Sequence, residues 1–84
     1  MASLKDMPNI GPVAVEALEK VGIETPDQLR EVGAKEAWRR IRAQVDPGAC
    51  LHLLLGLEAA VEGIPKKLLP AEKRAELNAF FKNY

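Results

Sequence analysis

Along this chain apolar residues return every three or four positions, the spacing of one helix face, and no segment sustains strand alternation. Leu4 and Met7 stand three apart in a short stretch, Ser3 to Met7, with Ser3 as a candidate cap. After Gly11 the stripe Ala14, Ala17, Leu18 and Val21 predicts a second helix. Pro12 suits its first position, where a missing N–H costs nothing, and Gly22 suits a left-handed stop. Thr25-Pro26-Asp27-Gln28 has the spacing of a capping box, so a third helix starts there and ends at Gly33 with Leu29 and Val32 inward. Ile23 and Leu29 are placed to pack together over its start.

A fourth helix is predicted from Ala34 to Gln44, with Ala34, Ala37, Trp38, Ile41 and Val45 on one side. Lys35, Arg39 and Arg42 share another face, and Arg40 lies off it. Asp46-Pro47-Gly48 reads as a turn feeding a fifth helix, with Asp46 as cap and Pro47 at the first position. That helix, to about Glu62, is apolar over most of its circumference, the mark of the central helix of a bundle. Gly63 closes it, and Pro70 starts a last helix striped by Leu77, Phe80, Phe81 and Tyr84. The prediction is all-α: one small bundle of five or six short helices joined by tight turns.

Eighty-four residues leave room for one core. Lys+Arg and Asp+Glu are both 12, so the formal net charge is zero, which argues against a general polyanion binder. One Cys excludes an internal disulfide, and the dense apolar stretch Cys50 to Val61 is too short to span a bilayer. The expectation is a cytoplasmic protein with no membrane partner.

Candidate chemistry is sparse. Cys50 and His52 are two positions apart on the predicted helix and do not face each other, so Cys50 is expected buried and His52 peripheral. Glu58 and Glu62 are one turn apart and read as a solvated helix edge. Trp38, on the apolar stripe, reads as a core anchor rather than a base-stacking platform. No grouping supplies a nucleophile with its base or a zinc spacing, so no enzyme, metal, cofactor or small-molecule substrate is expected. Leu51 and Leu55 fall nearer Glu58 and Glu62 than the main apolar face, and form a docking patch if the bundle leaves them uncovered.

The stretch Leu4 to Gly22 resembles a helix-hairpin-helix (SAM-like) unit: a short helix, a Pro-x-hydrophobic-Gly turn, and a longer helix ending in Gly. In that family the turn's backbone amides contact DNA phosphate without reading sequence. The resemblance makes Asn9, Ile10, Gly11 and Val13 candidate contacts, with Lys5, Lys35, Arg39 and Arg42 as candidate sources of positive charge. Asn9 replaces a glycine of the usual turn, which Asn tolerates at positive φ. Pro12 has no N–H to offer, and Val13 stands where many DNA-binding members carry Lys or Arg.

A wider resemblance covers nearly the whole chain. The Pro8-Asn9-Ile10-Gly11-Pro12 turn, Gly22-Ile23 followed by Thr25, Leu29 with Val32-Gly33-Ala34, Ala37-Trp38, Leu57-Glu58-Ala59 and Leu69-Pro70 occur in the order of the TfoX/Sxy family's C-terminal domain. This implies that residues 1–84 form a single domain of that type, without the additional N-terminal domain of full-length members. It also implies a regulatory, non-enzymatic role of the kind those members play in natural competence for DNA transformation. Two mechanisms then compete. In the first, Leu51, Leu55, Phe80, Phe81 and Tyr84 dock a protein partner, a transcription regulator or a second copy. In the second, the hairpin binds duplex DNA weakly and without sequence preference.

Overall fold

The structure is a computed structural model that describes residues 3–7 and 9–84. Pro8, part of the hairpin motif, lies outside the described residues. The described residues form five α-helices: α1 (Pro12–Lys20), α2 (Pro26–Val32), α3 (Ala34–Gln44), α4 (Leu51–Glu62) and α5 (Ala71–Lys82). Two 3-10 turns, Leu4–Asp6 and Lys66–Leu68, complete the order, and no strand occurs among the described residues. The all-α expectation holds.

Local chemistry accounts for most boundaries. Thr25 Oγ1 accepts from the Gln28 amide at 3.1 Å, and Gln28 Oε1 accepts from the Thr25 amide at 3.2 Å. This capping box starts α2. The ends of α1 and α4 share one stop. Gly22 and Gly63 have φ +85° and +74°, and the Ile that follows each donates its amide five residues back, to Leu18 and Ala59. That is a Schellman closure, which needs a residue free to adopt positive φ.

Two boundaries differ from the sequence expectation. Ser3 to Met7 contains a single 3-10 turn, because Asp6 donates its amide to the Ser3 carbonyl and the chain then turns away. Leu4 and Met7 are nonetheless both buried. Helix α4 begins at Leu51 rather than Pro47. The Asp46 carboxylate accepts from the Gly48 amide at 2.9 Å, and the Ala49 amide donates to the Asp46 carbonyl at 3.0 Å. Asp46 therefore closes its own turn instead of capping a helix. Cys50 becomes the residue preceding α4 and is exposed, correcting the expectation that it is buried; Ala49 is buried in its place.

Helix α4 is central, packing against α2, α3, α5 and the second 3-10 turn. Leu54, Leu57, Ala59 and Ala60 are fully buried on it. Helix α1 packs against α3 and the first 3-10 turn. Trp38, also fully buried, donates Nε1–H to the Cys50 carbonyl at 3.1 Å and so ties α3 to the start of α4. Its expected role as a core anchor holds.

Candidate functional site

The hairpin turn sits at the edge of the bundle and is held there by Asn9. This residue has φ +68°, a left-handed conformation that Asn adopts more readily than most residues other than glycine. Its carboxamide donates to the Ile64 carbonyl at 2.9 Å and accepts from the Lys66 amide at 3.0 Å. Both ends of the side chain are thus spent on the segment that follows α4. Arg74 secures that segment from the other side, donating Nη2 to the Lys66 carbonyl at 2.6 Å and Nε to the Leu69 carbonyl at 3.2 Å. Behind the turn, a Cβ added at Gly56 would stand 3.3 Å from the Asn9 carbonyl oxygen. The glycine lets the turn lie directly on α4.

Of the other hairpin candidates, Ile10 is buried, while Lys5, Gly11 and Val13 are exposed. Val13 is 82% exposed, the highest value among the large apolar residues described as exposed. A groove of about 590 Å3 beside the turn is lined by Lys5, Gly11 and Pro12, but also by Glu16 and Glu19. Two carboxylates against one ammonium make a poor phosphate seat.

The three candidate phosphate-binding cations of α3, Lys35, Arg39 and Arg42, are engaged elsewhere. Lys35 pairs with Glu76 of α5 at 2.8 Å and lies 5.6 Å from the Phe80 ring centroid. Arg39 grips Glu36 with two bonds, at 2.8 and 2.9 Å, and Arg40 adds a third at 2.9 Å. The hydrogen bonds from Arg39 and then Arg40 pull the Glu36 carboxyl down to about 2. The Arg42 guanidinium lies 5.8 Å from the Trp38 ring and 5.2 Å from the Tyr84 ring. None of the three adjoins the hairpin turn through a described contact.

The residues proposed for docking are also repositioned. Leu55 is buried and Leu51 half-buried, because α4 is covered on more of its circumference than one face. Leu55 therefore offers nothing to a partner. Phe80, Phe81 and Tyr84 surround Trp38 edge-on, with ring centroids at 5.8, 5.7 and 5.5 Å. They close the core at the C-terminal end, although Tyr84 remains 44% exposed. Glu58 is half-buried rather than fully solvated. Burial and then the neighbouring Glu62 carboxyl push it up to about 7, against the attraction of Lys73.

What sequence reasoning missed is a groove of about 240 Å3 between α1, the end of α3 and the start of α4. Val13, Ala14, Ala17, Ile41, Val45 and Leu53 line it. The signal in the sequence is that Val13 lies off the stripe of Ala14, Ala17, Leu18 and Val21, since an amphipathic helix places few apolar residues on its outer side.

Over this scaffold the family model for the TfoX C-terminal domain matches residues 1–81. The chain belongs to the TfoX C-terminal domain family. Protein Sxy of Escherichia coli (strain K12) is 39% identical over 74 residues, covering 88% of this chain. The chain spans 35% of that relative's length. A crystal structure of an uncharacterised Listeria monocytogenes protein, in a triclinic form, is 43% identical and superimposes with TM-score 0.95. It matches 98% of this chain and 92% of that one. A tetragonal-form structure of a Listeria monocytogenes protein of unknown function is 42% identical with TM-score 0.92, covering 95% and 98%. No helix among the described residues is long and apolar enough to cross a membrane.

Proposed function

We propose that this chain is a non-catalytic regulatory module of natural competence that acts by docking a protein, not by gripping DNA through its hairpin. The observation that carries the reading is Val13. At the position where a phosphate-binding hairpin profits from a cation, the chain presents a valine that is 82% exposed. Glu16 and Glu19 flank the same turn, and Pro12 removes one amide from the helix start. Asn9 has its side chain committed to Ile64 and Lys66. These features favour an apolar contact at the crest of α1 over a phosphate contact.

The experiment replaces Val13 by Glu at the native locus and measures transformation frequency, with helicity of the purified variant checked by circular dichroism. Loss of transformation by a folded Val13→Glu protein is expected. In parallel, a low-salt titration of the chain with duplex DNA, followed by NMR, is expected to leave the Asn9–Val13 resonances in place. Normal transformation by Val13→Glu, with saturable salt-sensitive shifts at Asn9–Val13 that grow in Val13→Lys, would establish the DNA reading instead.

A further inference from the structure

Helix α1 contributes to two grooves. The larger, of about 590 Å3, has the buried Ile10 and Val15 in its lining, and the smaller, of about 240 Å3, has the buried Ala17 and Ile41. Glu16 is common to both. Val13, Glu16 and Lys20 follow one another at helical spacing and are all exposed, so they form a ridge along α1. A ridge beside apolar hollows is the kind of surface against which another helix packs.

The charges that line these grooves are unbalanced. Glu16, Glu19 and Asp46 stand against Lys5 and Lys20, and Lys20 is already paired with Glu16 at 3.4 Å. Glu19 is exposed and has no ion-pair partner among the described residues. Compensating charge lies elsewhere in a chain of zero formal net charge. Helix α3 carries Lys35, Arg39, Arg40 and Arg42 against Glu36, and none of these cations lines either groove. An acidic partner, or the same face of a second copy, would add carboxylates to carboxylates. A cationic one would meet opposite charge. Lys and Arg suit both parts of the surface, because their stems pack on apolar walls while their heads reach a carboxylate.

We propose that the α1 face receives a basic amphipathic helix of a partner protein. Its apolar residues cover Val13 and enter the flanking grooves, and its Lys or Arg residues meet Glu16, Glu19 and Asp46. This rests on the reading that the module works by protein contact, and adds the chemistry of the partner. The apolar contact supplies affinity, while the carboxylates select the sign of the partner's charge and make binding fall with salt.

Two designed helical peptides test the proposal: one with leucines on one face and lysines on the other, and its twin with glutamates for the lysines. In low-salt NMR titrations of the full chain, the lysine peptide should shift the resonances of Val13, Ala14, Glu16, Glu19 and Leu53. The glutamate peptide should leave them in place. Glu19→Lys should weaken binding of the lysine peptide about tenfold. Asp46→Asn keeps an oxygen for the Gly48 amide and should weaken it about threefold. Glu62→Lys makes the same change of net charge as Glu19→Lys at an exposed position of α4, and should bind like wild type. Equal binding of both peptides, shifts centred on Glu58 and Glu62, or wild-type binding by Glu19→Lys overturns the proposal. At the native locus, a folded Glu19→Lys protein should lose transformation as Val13→Glu does. Normal transformation by Glu19→Lys alone would overturn the basic partner and leave the protein-contact reading standing, whereas normal transformation by both would overturn that reading as well.

Discussion

Asn9 and Lys66, 57 residues apart in the chain, are joined by a hydrogen bond of 3.0 Å from the Lys66 amide to the Asn9 carboxamide. The same carboxamide reaches the Ile64 carbonyl at 2.9 Å, so one side chain bridges the hairpin turn and the exit of α4. The backbone of Asn9 holds φ +68° to do this. The turn that resembles a DNA clamp is thereby a structural joint as well.

Replacing Asn9 by Ala removes both bonds and places a residue without a local polar partner at positive φ. Two exposed bonds and the left-handed backbone cost together about 2 kcal/mol. Asn9→Gly relieves the backbone cost and leaves only the lost bonds, about 1 kcal/mol. Urea denaturation should rank the proteins wild type, Asn9→Gly, Asn9→Ala in falling stability. Hydrogen exchange at the Lys66 amide should quicken in both variants, and unchanged exchange there would remove the joint.

Gly56 tests the same joint from beneath. Alanine in a helix interior gains up to about 1 kcal/mol over glycine. At this site the new Cβ would meet the Asn9 carbonyl oxygen at 3.3 Å, and the turn cannot retreat without stretching its bonds to Ile64 and Lys66. Gly56→Ala is therefore expected to be no more stable than wild type, and Gly56→Val to be less stable by about 2 kcal/mol or more. Because the two sites touch, Asn9→Ala should soften the penalty of Gly56→Val in a double-mutant cycle.

Trp38 is held by a polar contact and by aromatic edges at once. Trp38→Phe deletes the bond to the Cys50 carbonyl and leaves a void between α3 and α5, for a loss of about 2–3 kcal/mol. Tyr84→Ala uncovers the indole on one side and releases Arg42 from its ring. It should shift Trp38 fluorescence to the red, while thermal stability falls by less than in Trp38→Phe.

Glu58 gives the fold a pH dependence of definite sign. Its carboxyl is raised from 4.5 to about 7 in the folded chain. Its contribution to stability is full below the unfolded value of 4.5 and is lost as pH rises through about 7. The residue is half-buried, so the loss is about 1 kcal/mol once screening is allowed for. Glu36, lowered from 4.5 to about 2 by Arg39 and Arg40, acts oppositely. Its contribution is present above 4.5 and disappears as pH falls through about 2. Denaturation midpoints should be highest at about pH 5 and lower at about pH 8. Glu58→Gln should flatten the alkaline side of the profile, and a wild-type slope retained in that variant would clear Glu58 of the effect.

Read alone, residues 1–84 specify the helices, because the determinants of each are local. The capping box at Thr25 and Gln28, the glycines that let the chain stop at Gly22 and Gly63, and the three-to-four spacing around Trp38 all act within a turn or two. The family is legible for the same reason, since its motifs are the punctuation of those helices. Packing decided what local rules leave open. The side chain of Asp46 could serve a helix or its own turn, and the burial of Ala49 with the Trp38 bond to the Cys50 carbonyl accompanies the second choice. Only contacts across 55 and 57 residues show that Asn9 is occupied. Only the docking of α5 turns Phe80, Phe81 and Tyr84 from an exposed end into a cover for Trp38. Helix periodicity says which residues share a face. Which faces meet, and therefore that Val13 and its groove are left over, depends on the arrangement of the whole bundle.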